Sequence, residues 1–432
     1  MGETSFVLRG DLCYSTAPTR LHTVPDGYLV VVDGVSAGVF PQLPETYAGL
    51  PMVDRRNRLI VPGLVDLHIH APQYAFRGLG MDLELLDWLN TNTFPEEARY
   101  RDLDYAGLAY DIFAEDLRRG PNTRACIFAT AHTDATLLLM DRMEATGLVS
   151  LVGRVNMDRN CPDDLREPDA DRAAVQTIRW LEECAGRYQR TGPILTPRFI
   201  PSCTDELLTR LGEIRKKYDL PVQSHLSENQ GEVEWVEQLC PTAPFYGAAY
   251  DAFGLFGGDH RCIMAHCVLS GEDELTLMKE RGVFVAHCPQ SNENLASGIA
   301  PVRRYLDRGL QVGLGSDVAG GTTPSIFRAM ADAVQVSKLR WRLQDQALAP
   351  LTLPEAFWLG TAGGGAFFGR VGSFAAGYEV DALVLDDRRL RAPRPLTVEQ
   401  RLERMVYLGE DRDITEKFVR GVEVLSSPVR WK

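Results

Sequence analysis

Two rhythms of apolar residues divide the chain. Near the N-terminus, Ser5–Leu8 and Tyr28–Val32 are short β-rich runs punctuated by Gly10, Pro25, Gly27 and Gly34, a pattern that predicts strands. From about Leu59 the pattern becomes strand, turn and helix, repeated. Apolar runs at Val61–His70, Thr123–Thr130, Leu151–Met157, Ile194–Phe199, Val222–His225, Cys262–Cys267, Val283–Cys288 and Gln311–Ser316 predict eight strands. Helical periodicity fills Leu103–Arg118, Asp134–Met143, Ala170–Tyr188, Asp205–Lys217, Gln230–Leu239, Glu272–Glu280, Ser325–Leu343 and Leu353–Gly363. Strands alternating with helices imply parallel pairing, and eight such units imply a (β/α)8 TIM-type barrel over 62–371. A doubly wound sheet is the alternative, which the eighth strand disfavours. The tail from Gly372 returns to β character, with Gly377–Leu385 reading as a turn entering a strand. The predicted architecture is α/β: the barrel, plus a small β-sandwich-like domain composed of residues 1–61 and 372–432.

Composition narrows the class without naming a chemistry. With 432 residues, 45% hydrophobic and 24% charged, the chain is neither disordered nor a small disulfide scaffold. A formal net charge of −13 argues against nucleic acid as a partner, because such binding relies on clustered positive charge. It leaves a small neutral ligand open. Nine cysteines, an odd number without a CxxC, exclude complete disulfide pairing and a cysteine zinc site. Reduced, mostly buried thiols in a cytoplasmic protein fit best. No signal peptide is legible at the N-terminus, and the early apolar run Tyr28–Phe40 is too short to span a bilayer.

Histidine placement supplies the chemistry. In Leu64–His70, His68 and His70 sit two residues apart on a predicted strand, so both face one side. At the C-terminal end of a barrel strand that side is where active sites lie. Six of the eight histidines (His68, His70, His132, His225, His266 and His287) fall at or just beyond predicted strand ends. Asp317 follows the eighth strand in Gly313–Asp317. Three imidazoles and one carboxylate make a plausible metal site with room for water. Glu228, three residues past His225, is placed to reach that water without ligating. Its bland reading is an acidic residue near a helix N-terminus.

These residues resemble the amidohydrolase superfamily, which carries HxH on the first barrel strand, His on the fifth and sixth, and Asp on the eighth. Binuclear members add a bridging carboxylated Lys on the third or fourth strand. Neither Leu151–Met157 nor Ile194–Phe199 contains Lys, so the likeness is to the mononuclear deaminase branch. From about Arg9 to Val422 the chain is similar to the guanine deaminase family. The likeness rests on VPGLVDLHIHAPQY, DLELLDWLNTNTFPEEARY, TPRF, QSHLSEN, MAH, AHCPQSN and GLGSDVAGG.

The resemblance implies one Zn(II) per subunit, with Fe(II) as the alternative, held by His68, His70, His225 and Asp317. It implies Glu228, Asp317 and His266 as catalytic groups, and Gln73, Arg198, Phe199 and His225 against a small purine base. The implied reaction is hydrolytic deamination of guanine to xanthine and ammonia, in a cytoplasmic homodimer without nucleic-acid or membrane partners. Another aminopurine, a pterin or a triazine is the alternative substrate, and a non-catalytic interaction protein on a decayed barrel the alternative class. His132 and His287 are each divided between pocket wall and packing, and Trp88 and Phe94 between lid and helix packing. Adjacent strand residues point oppositely, so Cys267 and Cys288 should face the helices. Gln290 and Glu293 depart from the family pattern, and Glu293 in the pocket would favour a donor-rich ligand.

Overall fold

The computed structural model describes residues 4–426. Eight parallel strands form its centre. Leu64–His70, Asn122–Phe128, Val149–Gly153 and Thr191–Pro193 make one sheet, and Val222–Leu226, Cys262–His266, Phe284–His287 and Gln311–Leu314 another. Backbone hydrogen bonds join the two sheets at both seams. The Leu195 amide donates to the Pro221 carbonyl at 2.9 Å and its own carbonyl accepts from Gln223 at 3.0 Å. Across the other seam Asp317 donates to the His68 carbonyl at 2.8 Å and His70 to the Val318 carbonyl at 3.2 Å. The strands thus close on themselves, with helices between successive strands packed outside. Val65, Leu67, Ile263, Ala265, Phe284 and Ala286 fill the interior.

The predicted third and fourth strands are each split. Val149–Gly153 is followed by a separate Val155–Asn156, and Thr191–Pro193 by Thr196–Pro197, the two short pieces pairing with each other. Pro193 and Pro197 carry no amide hydrogen, so an unbroken ladder through 191–199 is not available.

Both ends of the chain share one seven-stranded sheet. Phe6–Ala17 pairs antiparallel with Arg20–Val32 and parallel with Met52–Pro62, and Met52–Pro62 pairs antiparallel with Ala382–Leu385. These strands run well beyond the short predicted pieces. Leu8, Leu12, Leu29, Ile60, Val384 and Phe418 form the sheet's own core. A helix that the apolar pattern did not reveal, Val398–Leu408, buries Leu402, Met405 and Val406 and is capped by the Thr397 side chain. Two polar ties hold sheet to barrel. Buried Arg124 donates to Asp381 at 2.7 Å. Lys417 donates to the carbonyls of Leu117, Arg118 and Asn122 at 3.3, 2.7 and 2.9 Å.

All nine cysteines are free, and seven are buried. Among the described residues no helix is long and apolar enough to cross a membrane.

Candidate metal and substrate site

Local backbone irregularities aim the site residues. In the first barrel strand, three steps from Asp66 to Ile69 span two steps, Ala125 to Ile127, on its neighbour. Such a bulge re-aims side chains, and it brings His68 and His70 to the mouth above Val65 and Leu67. In the sixth strand Ile263 and Ala265 face the interior, so simple alternation would turn His266 outward. His266 and Cys267 instead have φ of +71° and +52°. This left-handed turn, rare for side chains other than glycine, swings the imidazole over the mouth. Asp317 has φ +46°. Buried Asp66 steadies the first strand against the eighth, accepting from the Ser316 hydroxyl at 2.5 Å and the His68 amide at 3.1 Å.

Four donors converge. The Nε2 atoms of His68 and His70 are 3.2 Å apart, and those of His70 and His225 3.3 Å. Asp317 Oδ1 lies 3.1 Å from His68 Nε2 and 3.4 Å from His70 Nε2. Tetrahedral donors about 2.0–2.2 Å from one divalent ion would sit about 3.3–3.6 Å apart, so the spacing fits a metal. The His225 tautomer fits as well. His225 Nδ1 donates to the Arg198 carbonyl at 2.6 Å, which leaves its Nε2 lone pair for the cluster. Burial lowers the His68, His70 and His225 imidazoles from their ordinary range, which favours the neutral form a metal ligand needs. Burial alone would raise the Asp317 carboxyl, yet the imidazoles of His68, His266 and His70 hold it well below the carboxylate range.

His266 stands slightly apart. Its Nδ1 faces Asn292 Oδ1 at 2.9 Å, and its Nε2 lies 3.4 Å from Glu228 Oε2 and 3.7 Å from Asp317 Oδ2. Glu228 is buried, and burial followed by the charges of Glu232 and Asp317 raises its carboxyl well above the ordinary range. Ser297 donates to its Oε1 at 3.4 Å.

A tight cavity opens onto this cluster, lined also by Gln73, Arg198, Phe199, Trp88, Leu89 and Leu295. Trp88 thus forms part of the wall. Phe94 lies beneath Arg198, whose guanidinium sits 5.1 Å from the ring centre.

Other sequence readings change. Cys288 Sγ comes within 4.8 Å of the donor atoms of His266 and Asp317, and Cys288 packs with Phe284 and Ala286 in the barrel interior. The expectation that Cys288 faces the helices is therefore wrong. Alternation holds, but with Phe284, Ala286 and Cys288 as the inward set, which turns His287 away. His287 is buried, does not line the cavity, and is pushed down to about 3 by burial. Cys267 keeps the predicted outward place, packed in the helix-facing core. His132 lines a separate cavity with Arg154 and Glu167. Glu293 is exposed on Pro289–Asn294 and lines no part of the site cavity, and Gln290 is occupied by Thr322. The sequence reading passed over Glu97, although it stands in the quoted TFPEE string. Glu97 is buried and joins Gln73 to Arg198.

The amidohydrolase family model matches residues 59–424. Guanine deaminase of Mus musculus is 39% identical over 442 residues, 98% of this chain and 97% of its own. The chain belongs to the amidohydrolase family, in its guanine deaminase branch. Guanine deaminase of Escherichia coli is 34% identical over 88% of this chain and 85% of its own. A crystal structure of guanine deaminase from C. acetobutylicum with guanine bound in the active site superposes with TM-score 0.94 at 44% identity. It covers 97% of this chain and 99% of that one. For this amidohydrolase, then, the bulged first strand and the left-handed turn at His266 are the local devices that bring His68, His70 and His266 to one mouth.

Proposed function

We propose that the protein hydrolyses guanine to xanthine and ammonia. The observation that carries the reading is one cavity that brings His70, His225, Asp317 and buried Glu228 together with Gln73, Arg198 and Phe199, with His68 3.2 Å from His70 and 3.1 Å from Asp317 behind it. Nitrogen and carboxylate donors suit Zn(II), with Fe(II) as the alternative. A metal so held acidifies water to a pKa of about 7.

The chain's own groups do the rest. Glu228 accepts a proton from the attacking water and passes it to the ring nitrogen beside the amino-bearing carbon. The C–O bond forms at that carbon. Glu228 or Asp317 then takes the remaining proton of the added oxygen and delivers it to the amine, the oxygen becomes a carbonyl, and the C–N bond breaks to release ammonia. His266 faces both carboxylates and orients the oxygen between them. Gln73 and Arg198 hold the base by its polar edge, with Phe199 against its face, so their part is positioning.

Residues 62–371 form the catalytic unit in this reading, and 1–61 with 372–432 its supporting sheet. Free, buried thiols favour a reducing, cytoplasmic setting, the family likeness a homodimer and a role in purine base breakdown, and the −13 charge free bases over nucleic acid. The test is ammonia release from guanine by the purified, metal-loaded protein. Turnover of ammeline or 8-oxoguanine without turnover of guanine would replace the substrate. No turnover of any of them would refute the enzyme.

A further inference from the structure

A glutamine amide offers one donor group and one acceptor group, so Gln73 alone would greet an amino or a carbonyl group equally well. The fold removes that freedom. The Ala319 amide can only donate, and it faces Gln73 Oε1 at 3.2 Å. A carboxylate can only accept, and Glu97 Oε1 faces Gln73 Nε2 at 3.0 Å. Turning the amide over would set N–H against N–H on one side and oxygen against oxygen on the other. The second oxygen of Glu97 accepts from Arg198 Nη1 at 2.6 Å. Gln73, Glu97 and Arg198 are 2%, 1% and 3% exposed, so water does not relax the arrangement. Gln73 and Arg198 line the cavity while Glu97 stands behind them. What remains for a ligand is the second N–H of Gln73 and the unused guanidinium N–H groups of Arg198. The Glu97 charge also balances that of Arg198, which leaves this edge rich in donors without an excess of positive charge.

We infer that Glu97 is a positioning residue that fixes Gln73 and Arg198 as a donor-only edge, and so selects purines with a carbonyl oxygen on the six-membered ring over those with a second amino group there. The inference rests on guanine as the substrate. It predicts discrimination against 2,6-diaminopurine, which keeps the reacting amino group and replaces the carbonyl oxygen by NH2. That group would meet donors only. A site built to hydrogen-bond one substrate group can reject analogues lacking it by roughly 10⁴–10⁵.

The experiment compares the metal-loaded wild type with Glu97→Gln and Glu97→Asp, measuring kcat and KM for guanine and 2,6-diaminopurine alongside metal content. Glu97→Gln lets the Gln73 amide turn over. Its KM for guanine should rise about 10- to 100-fold, the loss of a charge-assisted hydrogen bond, with kcat changed far less. The guanine to 2,6-diaminopurine ratio of kcat/KM should fall at least about tenfold by the same loss. Glu97→Asp keeps the charge and should keep the ratio. A Glu97→Gln ratio within twofold of wild type would overturn the inference, as would loss of metal in parallel with activity. The wild type carries the same test without a variant, because hypoxanthine should inhibit at least about 100-fold more tightly than adenine. Equal inhibition would overturn the inference. A wild type that bound hypoxanthine selectively but released no ammonia from guanine would sink the proposed function and leave the donor-only edge standing.

Discussion

Glu228→Gln separates proton transfer from metal binding at one atom. The amide has the carboxylate's shape, and Glu228 contributes no donor to the His68, His70, His225 and Asp317 group, so the metal should stay. What goes is the proton acceptor that faces His266 at 3.4 Å and Ser297 at 3.4 Å. A positioned acid–base group contributes typically 10²–10⁴-fold. At about 1.36 kcal/mol per decade, that range is about 2.7–5.4 kcal/mol of barrier. Glu228 is asked to act on the water, on the ring nitrogen and on the leaving amine, so kcat should fall toward the upper end, about 10⁴-fold. The pH profile carries a second signature. Burial and the charges of Glu232 and Asp317 raise this carboxyl. Below its pKa the group is protonated and cannot accept from water, so activity falls as pH falls, along a limb above the ordinary carboxylate range. That limb should vanish in the variant. The assay is ammonia release across a pH series, with metal content measured on the same samples. A metal-replete variant that keeps more than about a tenth of wild-type kcat, against a minimum loss of about 100-fold for a true acid–base group, would refute the proton-shuttle role.

Two further outcomes follow from the same packing. Dialysis against a chelator should abolish ammonia release and lower the unfolding midpoint, since a ligand at about 1,000 times its Kd contributes about 4 kcal/mol; an unchanged midpoint would mean that the four donors hold no ion in the folded state. Lys417→Met should destabilise the fold by about 3 kcal/mol or more, because the three buried carbonyls of Leu117, Arg118 and Asn122 lose their donor and each unmet group costs about 1–3 kcal/mol; an unchanged denaturation midpoint would show that they find other partners.

The parts of this protein that were legible in the sequence are those written in a period. Apolar runs alternating with helical stretches mark the barrel strands, and the histidines betray the mouth because strand ends in this fold share one face. The irregular positions were not legible, and they are where the chemistry is aimed. His266 reaches the mouth only through a left-handed backbone at His266 and Cys267, where strict alternation would turn it outward; His287 and Cys288 do alternate, but the presence of a histidine does not mark which of the two faces inward. A one-residue bulge lies between Asp66 and Ile69, and no hydrophobic pattern announces it. Glu97 was hidden for a different reason. Its sequence context is a short helix with two adjacent glutamates, one of which pairs with Tyr105 near the surface, and only tertiary packing decides which is buried. Periodicity can locate a face of the fold, but a carboxylate that works through two other side chains is visible only once Gln73 and Arg198, 125 positions apart in the chain, stand on either side of it. The residues that choose the substrate are therefore harder to read than those that hold the metal: His68 and His70 are two positions apart on one strand, whereas the donor edge is assembled from three distant segments.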